Sequence, residues 1–119
     1  MIIKIAQENN ILTAMDNTWA SPLFCKPLDM GVDVSVQSAT KYVSGHADCL
    51  LGYVSARKEI YARLKKMYGL MGFCVGPDDV AMTLRGVRTL DVRLKRHQES
   101  ALKIAKWLEK KEQGCHYFK

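Results

Sequence analysis

The sequence predicts an α/β fold in which short strands come first and helices follow. Three short apolar runs have the length and composition of strands, at residues 11–15, 33–37 and 49–55. From residue 57 onward, apolar residues recur instead at helical spacing among lysines and arginines. About a dozen residues or more separate the first two runs, which is enough for a crossover between parallel strands. We therefore expect short parallel strands followed by helices.

The beginning of the chain predicts one helix and one strand. Residues 2–8 fit a short helix, and Asn9 and Asn10 end it because asparagine tolerates the left-handed conformation found at helix ends. The run 11–15 is short and continuously apolar, which suits a buried parallel strand. Asp16 closes this run, so we expect its carboxylate at the end of the strand.

Residues 17–25 predict a loop between the first two strands. Pro22 excludes the helical conformation for much of this loop and restricts Ser21 to extended geometry. Residues 26–30 fit one helical turn that stops at Gly31, because glycine readily adopts positive φ. The loop and the turn together form the connection to the second strand.

The second half of the chain predicts three helices. The first covers residues 57–68, with apolar residues on one face and basic residues on the others. The second begins with Pro77 and two acids and runs to about Arg85. Asp91 caps the third helix, which runs to about Lys110. The break between the first two helices holds Gly69 and Gly72.

Length and composition exclude several classes of protein. The 119 residues are 48% hydrophobic and 25% charged, which is typical of one ordinary globular domain. No apolar run reaches the roughly 18 residues of a membrane span, and the N-terminus lacks the pattern of a signal peptide. The four cysteines have neither C-x-x-C nor zinc-site spacing. We therefore expect reduced thiols, no metal site and a cytoplasmic location.

The net charge of +6 is unevenly distributed along the chain. Residues 1–56 hold three basic and five acidic residues, so 3 − 5 = −2, and residues 57–119 hold 15 − 7 = +8. A basic half is typical of nucleic-acid binding. The basic residues recur at helical spacing without long runs, however, so we expect them on the solvent faces of helices. This group contains Arg85, Arg88, Arg93, Lys95 and Arg96.

The stretch 33–48, DVSVQSATKYVSGHAD, carries the residues best suited to chemistry. Its alternating valines predict a strand that ends in the small and hydroxylated residues 38–40, and Lys41 follows at once. Ligands of open α/β sheets bind at the carboxyl ends of strands, where Asp16 is also expected. If the two strands are neighbours, Asp16 and Lys41 open onto one crevice.

The residues alone leave two explanations of Asp16 and Lys41 open. One is a structural ion pair. In the other, an activated lysine attacks a carbonyl and forms a Schiff base, while the acid keeps a ring nitrogen protonated. Pyridoxal phosphate requires that combination of a protein. Ser38 and Thr40 would then donate to the phosphate, although a small polar run is also typical of an ordinary turn.

The stretch 33–48 resembles the cofactor-attachment signature of the cysteine/methionine-metabolism family of pyridoxal phosphate enzymes. The matching features are the acid and apolar residue at its start, the small pair before Thr-Lys, the aromatic residue after it and the Gly-His pair. Ala47 departs, since the family usually has serine or another small polar residue there. DNTWASP at residues 16–22 and the run 82–108 also resemble the family, in the same order along the chain.

Within the family, the sequence is most similar to cystathionine β-lyases. The similarity lies in Trp19, in YGLMG at residues 68–72 and in LRGVRTL at residues 84–90. The alternatives are γ-synthases and γ-lyases, which more often carry phenylalanine or tyrosine after the threonine. Trp19 is also explained as a loop aromatic that packs on the sheet.

The resemblance implies a role for each candidate residue. Lys41 would attach the cofactor and transfer protons at the Cα of the substrate. Asp16 would keep the pyridine nitrogen protonated, and Ser38 and Thr40 would bind the phosphate. The implied reaction is the β-elimination of an amino-acid thioether, cystathionine or a related cysteine S-conjugate. Cystathionine would give homocysteine, pyruvate and ammonia.

The resemblance also implies a partial domain. Residues 1–110 match the later part of the large cofactor-binding domain of an aspartate-aminotransferase-like enzyme, and residues 111–119 form an irregular tail. The glycine-containing phosphate loop, the stacking tyrosine and the arginine for the substrate carboxylate belong to other parts of full-length members, which are homo-oligomeric. We therefore expect either a piece of a carbon–sulfur lyase that needs its other parts, or a non-catalytic remnant. We also expect poor solubility or self-association.

Overall fold

The computed structural model describes residues 2–111 and has an α/β fold, as predicted. Strands and helices are interleaved at first, and three helices complete the described chain. The elements are α1 (Ile2–Glu8), β1 (Ala14–Asp16), α2 (Ser21–Phe24), β2 (Val34–Ser38), β3 (Gly52–Ala56), α3 (Lys58–Leu70), α4 (Pro77–Val87) and α5 (Leu90–Glu109). Most of the predicted irregular tail, residues 112–119, lies outside the described residues.

The three strands form one mixed sheet in the order β1-β2-β3. β1 and β2 are parallel, as predicted, with Asp16 opposite Val36. The prediction of parallel strands is wrong for β3, which pairs antiparallel with β2. A parallel pairing would need a crossover. Instead, the Thr40 backbone N–H donates to the Leu51 carbonyl at 3.1 Å, and the chain returns directly along β2.

The sheet has one covered face and one open face. Side chains alternate along β2, so Ser35 and Gln37 are buried while Val36 is 38% exposed. The register of β1 against β2 places Asp16 on the same face as Val36, and Ser38 follows two positions along β2. The open face therefore carries two of the predicted site residues.

β1 is shorter and more exposed than the sequence predicts. The strand covers only Ala14–Asp16, and Ile11 and Leu12 before it are exposed. A continuously apolar run becomes a buried strand only where other elements cover both faces of the sheet. Within residues 2–111, β1 packs mainly against β2. The prediction of a buried first strand is therefore wrong for this structure.

Of three backbone conformations predicted in the first half of the chain, two are confirmed and one is wrong. Asn10 and Gly31 have φ angles of 55° and 94°, as expected where a helix or helical turn stops. The segment predicted to be a loop contains α2, and Ser21 is not extended but has a φ of 60°. Pro22 lies in the first turn of α2, where its missing N–H costs no helical hydrogen bond.

The last two helices differ slightly from their predicted limits. α4 begins at Pro77, as predicted, and continues past Arg85 to Val87. Asp91 is not the N-cap of α5, because that position is Thr89, and Asp91 lies in the first turn instead. An acid in the first turn still interacts favourably with the helix dipole.

Three of the six buried apolar residues of the described chain belong to the segment that joins β2 to β3. α3, by contrast, contains no buried residue. Across the described part of the chain, no helix combines the length and the hydropathy needed to cross a membrane. The buried apolar residues are Ala6, Val32, Ala39, Val43, Cys49 and Leu94.

Candidate cofactor-binding site

Thr18 joins the carboxyl ends of β1 and β2 by hydrogen bonds. Its backbone N–H donates to Oδ1 of Asp16, the last residue of β1, at 2.9 Å. Its hydroxyl accepts a hydrogen bond from the backbone N–H of Ser38, the last residue of β2, at 2.8 Å. The Asn17 N–H also donates to the Val36 carbonyl at 2.9 Å. These bonds hold together the two strand ends that carry predicted site residues.

Asp16 is held in its ionised form. Hydrogen bonds from the Thr18 side chain and from its backbone N–H lower the pKa of the Asp16 carboxyl below its ordinary value. Asp16 is also exposed, on the open face of the sheet. A carboxylate that stays charged at neutral pH stabilises a positive charge on a nearby ring nitrogen, as the predicted role of Asp16 requires.

Residues 38–46, which we call the lysine loop, turn tightly at the end of β2. The Lys41 N–H donates to the Ser38 carbonyl at 3.3 Å, and the Lys41 carbonyl accepts from the Gly45 N–H at 2.9 Å. Ala39 is fully buried beneath the turn, with a relative exposure of 0%. Lys41 itself is exposed. Its backbone is therefore fixed on both sides, whereas its side chain lies at the surface.

Two adjoining clefts share Thr40. The larger has a volume of about 700 Å³ and is lined by Lys41 and by aromatic and basic side chains that include Trp19. The smaller has a volume of about 320 Å³ and is lined by Asp16 and Ser38, among others. The structure thus brings all four predicted site residues to one end of the sheet. It places Asp16 and Lys41 in neighbouring clefts rather than in the single crevice that we expected.

Asp16 and Lys41 do not form the structural ion pair that was one explanation of their pattern. The ion pairs within residues 2–111 involve other side chains, and Asp16 is hydrogen-bonded to Thr18. Trp19 does not pack on the sheet either, because it is 89% exposed and lines the larger cleft. Neither structural explanation accounts for these residues.

The hydroxyl of Thr40 already has a partner in the protein. It accepts a hydrogen bond from the Leu51 N–H at 3.0 Å and donates to the Leu51 carbonyl at 3.3 Å. Thr40 nevertheless lines both clefts. A phosphate bound here would compete with the Leu51 carbonyl for the hydroxyl proton.

The side chains of the two clefts fit pyridoxal phosphate. An ionised carboxylate suits a protonated pyridine nitrogen, hydroxyls suit a phosphate, and an amine suits an aldehyde. Gln37 also lines the smaller cleft, although its side chain is buried on the covered face of the sheet.

Arg93 also lines the larger cleft, although the pattern of basic residues in the sequence predicts a different position for it. Its helical spacing predicts a position on a solvent face, and that prediction is wrong. The guanidinium donates hydrogen bonds at 2.8 Å to the carbonyls of Tyr42 and Gly86. Spacing does not show whether a basic side chain points to solvent or towards a distant loop. The one signal in the sequence is the run 82–108, which contains Arg93 and resembles the family.

Nearly the whole chain matches known pyridoxal phosphate enzymes. A family model described as Cys/Met metabolism PLP-dependent enzyme matches residues 1–116. The chain belongs to this family. The cofactor of the Cys/Met metabolism enzymes is pyridoxal 5′-phosphate, in agreement with the chemistry of the two clefts.

Curated relatives in the Cys/Met metabolism family carry names of different reactions. A putative cystathionine β-lyase of Rhizobium johnstonii is 54% identical over 108 residues, which cover 91% of this chain and 27% of that protein. An L-alanine/L-glutamate racemase of Wolbachia pipientis is 47% identical over 109 residues, which cover 92% of this chain and 27% of that protein. The chain therefore spans about a quarter of the length of these relatives.

A solved structure of a Cys/Met metabolism enzyme has the same fold over the matched part. The cystathionine γ-synthase of Xanthomonas oryzae pv. oryzae, in complex with cystathionine, has a TM-score of 0.90 to this chain and is 42% identical to it. The similarity covers 93% of this chain and 29% of the synthase. It confirms that the chain has the fold of part of a pyridoxal phosphate-dependent cystathionine enzyme.

Proposed function

We propose that this chain is part of a pyridoxal phosphate-dependent carbon–sulfur lyase that cleaves cystathionine, with Lys41 as its catalytic residue. The observation that carries the proposal is the position of Lys41, on a tight loop next to the cleft of Asp16. The 54% identity to a putative cystathionine β-lyase supports the choice of a lyase. Because the chain spans 27% of that relative, the other parts of such an enzyme would complete the site.

Each predicted site residue has a part in this proposal. Pyridoxal phosphate, when bound, withdraws electrons from the substrate Cα and so makes its proton acidic. Lys41 would hold the cofactor, and its amine would accept the Cα proton once the substrate amine had replaced it. Asp16, whose carboxyl pKa is lowered, would keep the ring nitrogen protonated. Ser38 and Thr40 would bind the phosphate at the turn after β2.

The proposed reaction is a β-elimination that consumes one water molecule. The Cα proton passes to Lys41, and the bond between Cβ and sulfur breaks with its electron pair on the sulfur. Lys41 then returns a proton, so that the leaving group departs as the thiol of homocysteine. Water converts the remaining three-carbon fragment to pyruvate and ammonia.

Specific observations favour two alternative reactions. The 47% identity to a racemase favours return of the proton to Cα, with no bond to sulfur broken. The 42% identity to a γ-synthase favours chemistry at Cγ. A third possibility is a remnant that keeps the local fold and does not turn over. Its support is the share of the relatives' length, about a quarter, that this chain spans.

Turnover in a hybrid enzyme distinguishes these functions. The matching segment of the Rhizobium johnstonii relative is replaced by this chain, and pyruvate release from cystathionine is measured together with formation of D-alanine from L-alanine. The proposal predicts pyruvate. Lys41→Ala is expected to lower its rate at least about 100-fold, because a positioned proton-transfer group contributes that much or more. Lys26→Ala is the matched control, since Lys26 is exposed and lines neither cleft.

The isolated 119-residue chain is assayed in the same way. Pyruvate released by this chain alone would exclude the remnant. A hybrid that folds and binds pyridoxal phosphate but forms only D-alanine would contradict the lyase and support the racemase. A hybrid whose Lys41→Ala variant is as active as the parent would contradict the role of the lysine.

A further inference from the structure

We propose that Arg93 is a positioning residue that fixes the backbone of the lysine loop and thereby sets the orientation of Lys41. The inference rests on the proposed function, because it takes Lys41 as the residue that holds the cofactor. Arg93 belongs to α5 and lies about 50 positions from the loop along the chain. Its contacts are therefore tertiary, and they join the two halves of the described chain.

The guanidinium of Arg93 contacts two carbonyls of the lysine loop and one of α4. Nη1–H donates to the Tyr42 carbonyl at 2.8 Å, and Nη2–H donates to the carbonyls of Gly86 at 2.8 Å and Val43 at 3.3 Å. Nε–H donates to Oγ1 of Thr89 at 3.0 Å. Only the planar, multiple donors of an arginine can satisfy such a set, and the single ammonium group of a lysine cannot.

The acceptors of Arg93 lie at the end of α4 and in the lysine loop. Gly86 belongs to the last turn of α4, and its carbonyl also accepts from the N–H and the hydroxyl of Thr89, at 3.1 and 3.2 Å. A positive charge at this end also interacts favourably with the helix dipole. The carbonyls of Tyr42 and Val43 lie in a turn, outside the ladders of the sheet. Arg93 therefore stabilises the end of α4 and the lysine loop with one side chain.

Two glycines leave room for these contacts. Gly45 has a φ of 76°, and a Cβ at this position would overlap the guanidinium of Arg93. At Gly86, a Cβ would lie 2.6 Å from the Val43 carbonyl oxygen and from Cα of Ser44. α4 therefore packs directly on the backbone of the lysine loop. Arg93, Gly45 and Gly86 form one interlocking arrangement, which we call the arginine clamp.

Hydrogen bonds connect the arginine clamp to Lys41. The Gly45 N–H donates to the Lys41 carbonyl at 2.9 Å, and the Ser44 N–H donates to the Ala39 carbonyl at 2.8 Å. Arg93 and Lys41 also line the same larger cleft. The carbonyls of Tyr42 and Val43, which Arg93 contacts, lie within the turns that both bonds close. Loss of Arg93 should therefore loosen the segment that presents the lysine side chain.

The test uses the 119-residue chain and two measurements. The first is hydrogen exchange of the Ser44 and Gly45 amides, which needs no cofactor. The second is the share of adduct on Lys41, relative to Lys26, after addition of pyridoxal 5′-phosphate and borohydride and peptide mapping by mass spectrometry. Arg93→Ala and Arg93→Lys are compared with the unchanged chain.

Both Arg93 variants are expected to exchange the two loop amides about 10- to 100-fold faster, because each loses charge-assisted hydrogen bonds to the loop. The share of adduct on Lys41 should fall towards that of Lys26. Arg96→Ala is the matched control, because Arg96 is an exposed residue of α5 that pairs only with Glu99 among the described ion pairs. It should change neither measurement.

Gly45→Ala is a second way to displace the guanidinium, and it keeps the charge of Arg93. Its effect on loop exchange should be smaller in the Arg93→Ala background, because the overlap is then absent and only the positive φ remains. Exchange in the ladder between β2 and β3 shows whether each variant is folded. If Arg93→Ala unfolds, Arg93→Lys and Gly45→Ala decide the question.

Unchanged exchange of the loop amides in folded variants would overturn the inference and leave the proposed function intact. Faster exchange with an unchanged preference for Lys41 would reduce Arg93 to a structural role and so overturn its positioning role. If the unchanged chain shows no preference for Lys41, the isolated chain lacks a formed cofactor site, and turnover in the hybrid enzyme decides the proposed function. The exchange result would still decide whether Arg93 holds the loop.

Discussion

The lysine loop and helix α3 are held in different ways. Ala39 and Val43 of the loop are buried. The loop backbone donates a hydrogen bond to the Thr18 hydroxyl and accepts hydrogen bonds from Arg93 of α5. α3 has no buried residue, and Met67 on its apolar face is 53% exposed. Contacts within the described chain therefore fix the conformation of the lysine loop. The same chain leaves the apolar face of α3 uncovered.

The site region is also rich in buried polar side chains. Most buried polar groups are hydrogen-bonded, and a hydrogen bond constrains geometry more tightly than an apolar contact does. The helical half has fewer buried polar side chains. α3 has no buried residue, and the buried residue of α5 is the apolar Leu94. The buried polar residues near the strand ends and the loop include Asn17, Thr18, Ser35, Gln37 and Ser44.

Among the substitutions that test this comparison, the largest loss of stability is expected at Leu94. This side chain is 3% exposed, whereas Leu102 on the same helix is 54% exposed. Leu94→Ala is expected to lower the free energy of unfolding by about 2–4 kcal/mol, because it leaves a cavity where α5 is buried. Leu102→Ala should cost less than about 1 kcal/mol. Chemical denaturation of both variants checks this, and equal losses would contradict the burial of α5 at Leu94.

The next largest changes in stability are expected at two helical glycines, where an alanine should have opposite effects. In α4, Gly86→Ala forces a Cβ against the backbone of Ser44, and we expect a loss of about 1–3 kcal/mol from overpacking. In α3, a Cβ at Gly69 would have no described atom within 4 Å beyond its own stretch of helix. Gly69→Ala should therefore gain up to about 1 kcal/mol from helix propensity. Thermal unfolding of the two variants measures the contrast, and a gain at Gly86 would show that α4 does not contact the lysine loop closely.

A smaller, pH-dependent effect is expected at Thr13. Its backbone N–H and its hydroxyl donate to Oδ2 of Asp33 at 2.8 and 2.9 Å, and Arg57 donates to Oδ1 at 3.2 Å. These groups lower the pKa of the Asp33 carboxyl, with Thr13 the larger cause. A lowered folded-state pKa stabilises the fold above the unfolded-state pKa of about 3.9, and the benefit is lost as the pH falls through the folded-state value.

Thr13→Val should therefore destabilise the chain at neutral pH, and the difference should narrow below about pH 4. It should not vanish, because the Asp33 N–H also loses its bond to the Thr13 hydroxyl, which does not depend on pH. Thr13→Ser keeps the hydroxyl and should retain the pH profile of the unchanged chain. Denaturation midpoints across this pH range test the prediction. A destabilisation by Thr13→Val that is the same at every pH would contradict it.

A substitution on α3 should have the smallest effect on stability but should clearly change self-association. Met67→Lys places a charge on its exposed apolar face, and self-association should decrease in sedimentation velocity. Leu102→Lys is the control, because Leu102 is 54% exposed and Met67 is 53% exposed. Equal decreases for the two variants would show that the face of α3 is no special surface.

The sequence contained enough to predict the positions of Asp16 and Lys41. Both follow from strand periodicity and from the rule that sites form at the carboxyl ends of strands. The direction of β3 did not follow, because it depends on the bonds between Thr40 and Leu51. The role of Arg93 did not follow either, since its partners lie about 50 positions away and helical spacing carries no information about them.

Borohydride trapping on the unchanged chain tests the central claim most directly. Pyridoxal 5′-phosphate is added at limiting concentration, the adduct is reduced, and its position is mapped by mass spectrometry. We predict that the adduct lies mainly on Lys41, and that Asp16→Asn or Ser38→Ala lowers its share there. An adduct spread over the surface lysines, with Lys41 no more labelled than Lys26, would contradict a formed cofactor site.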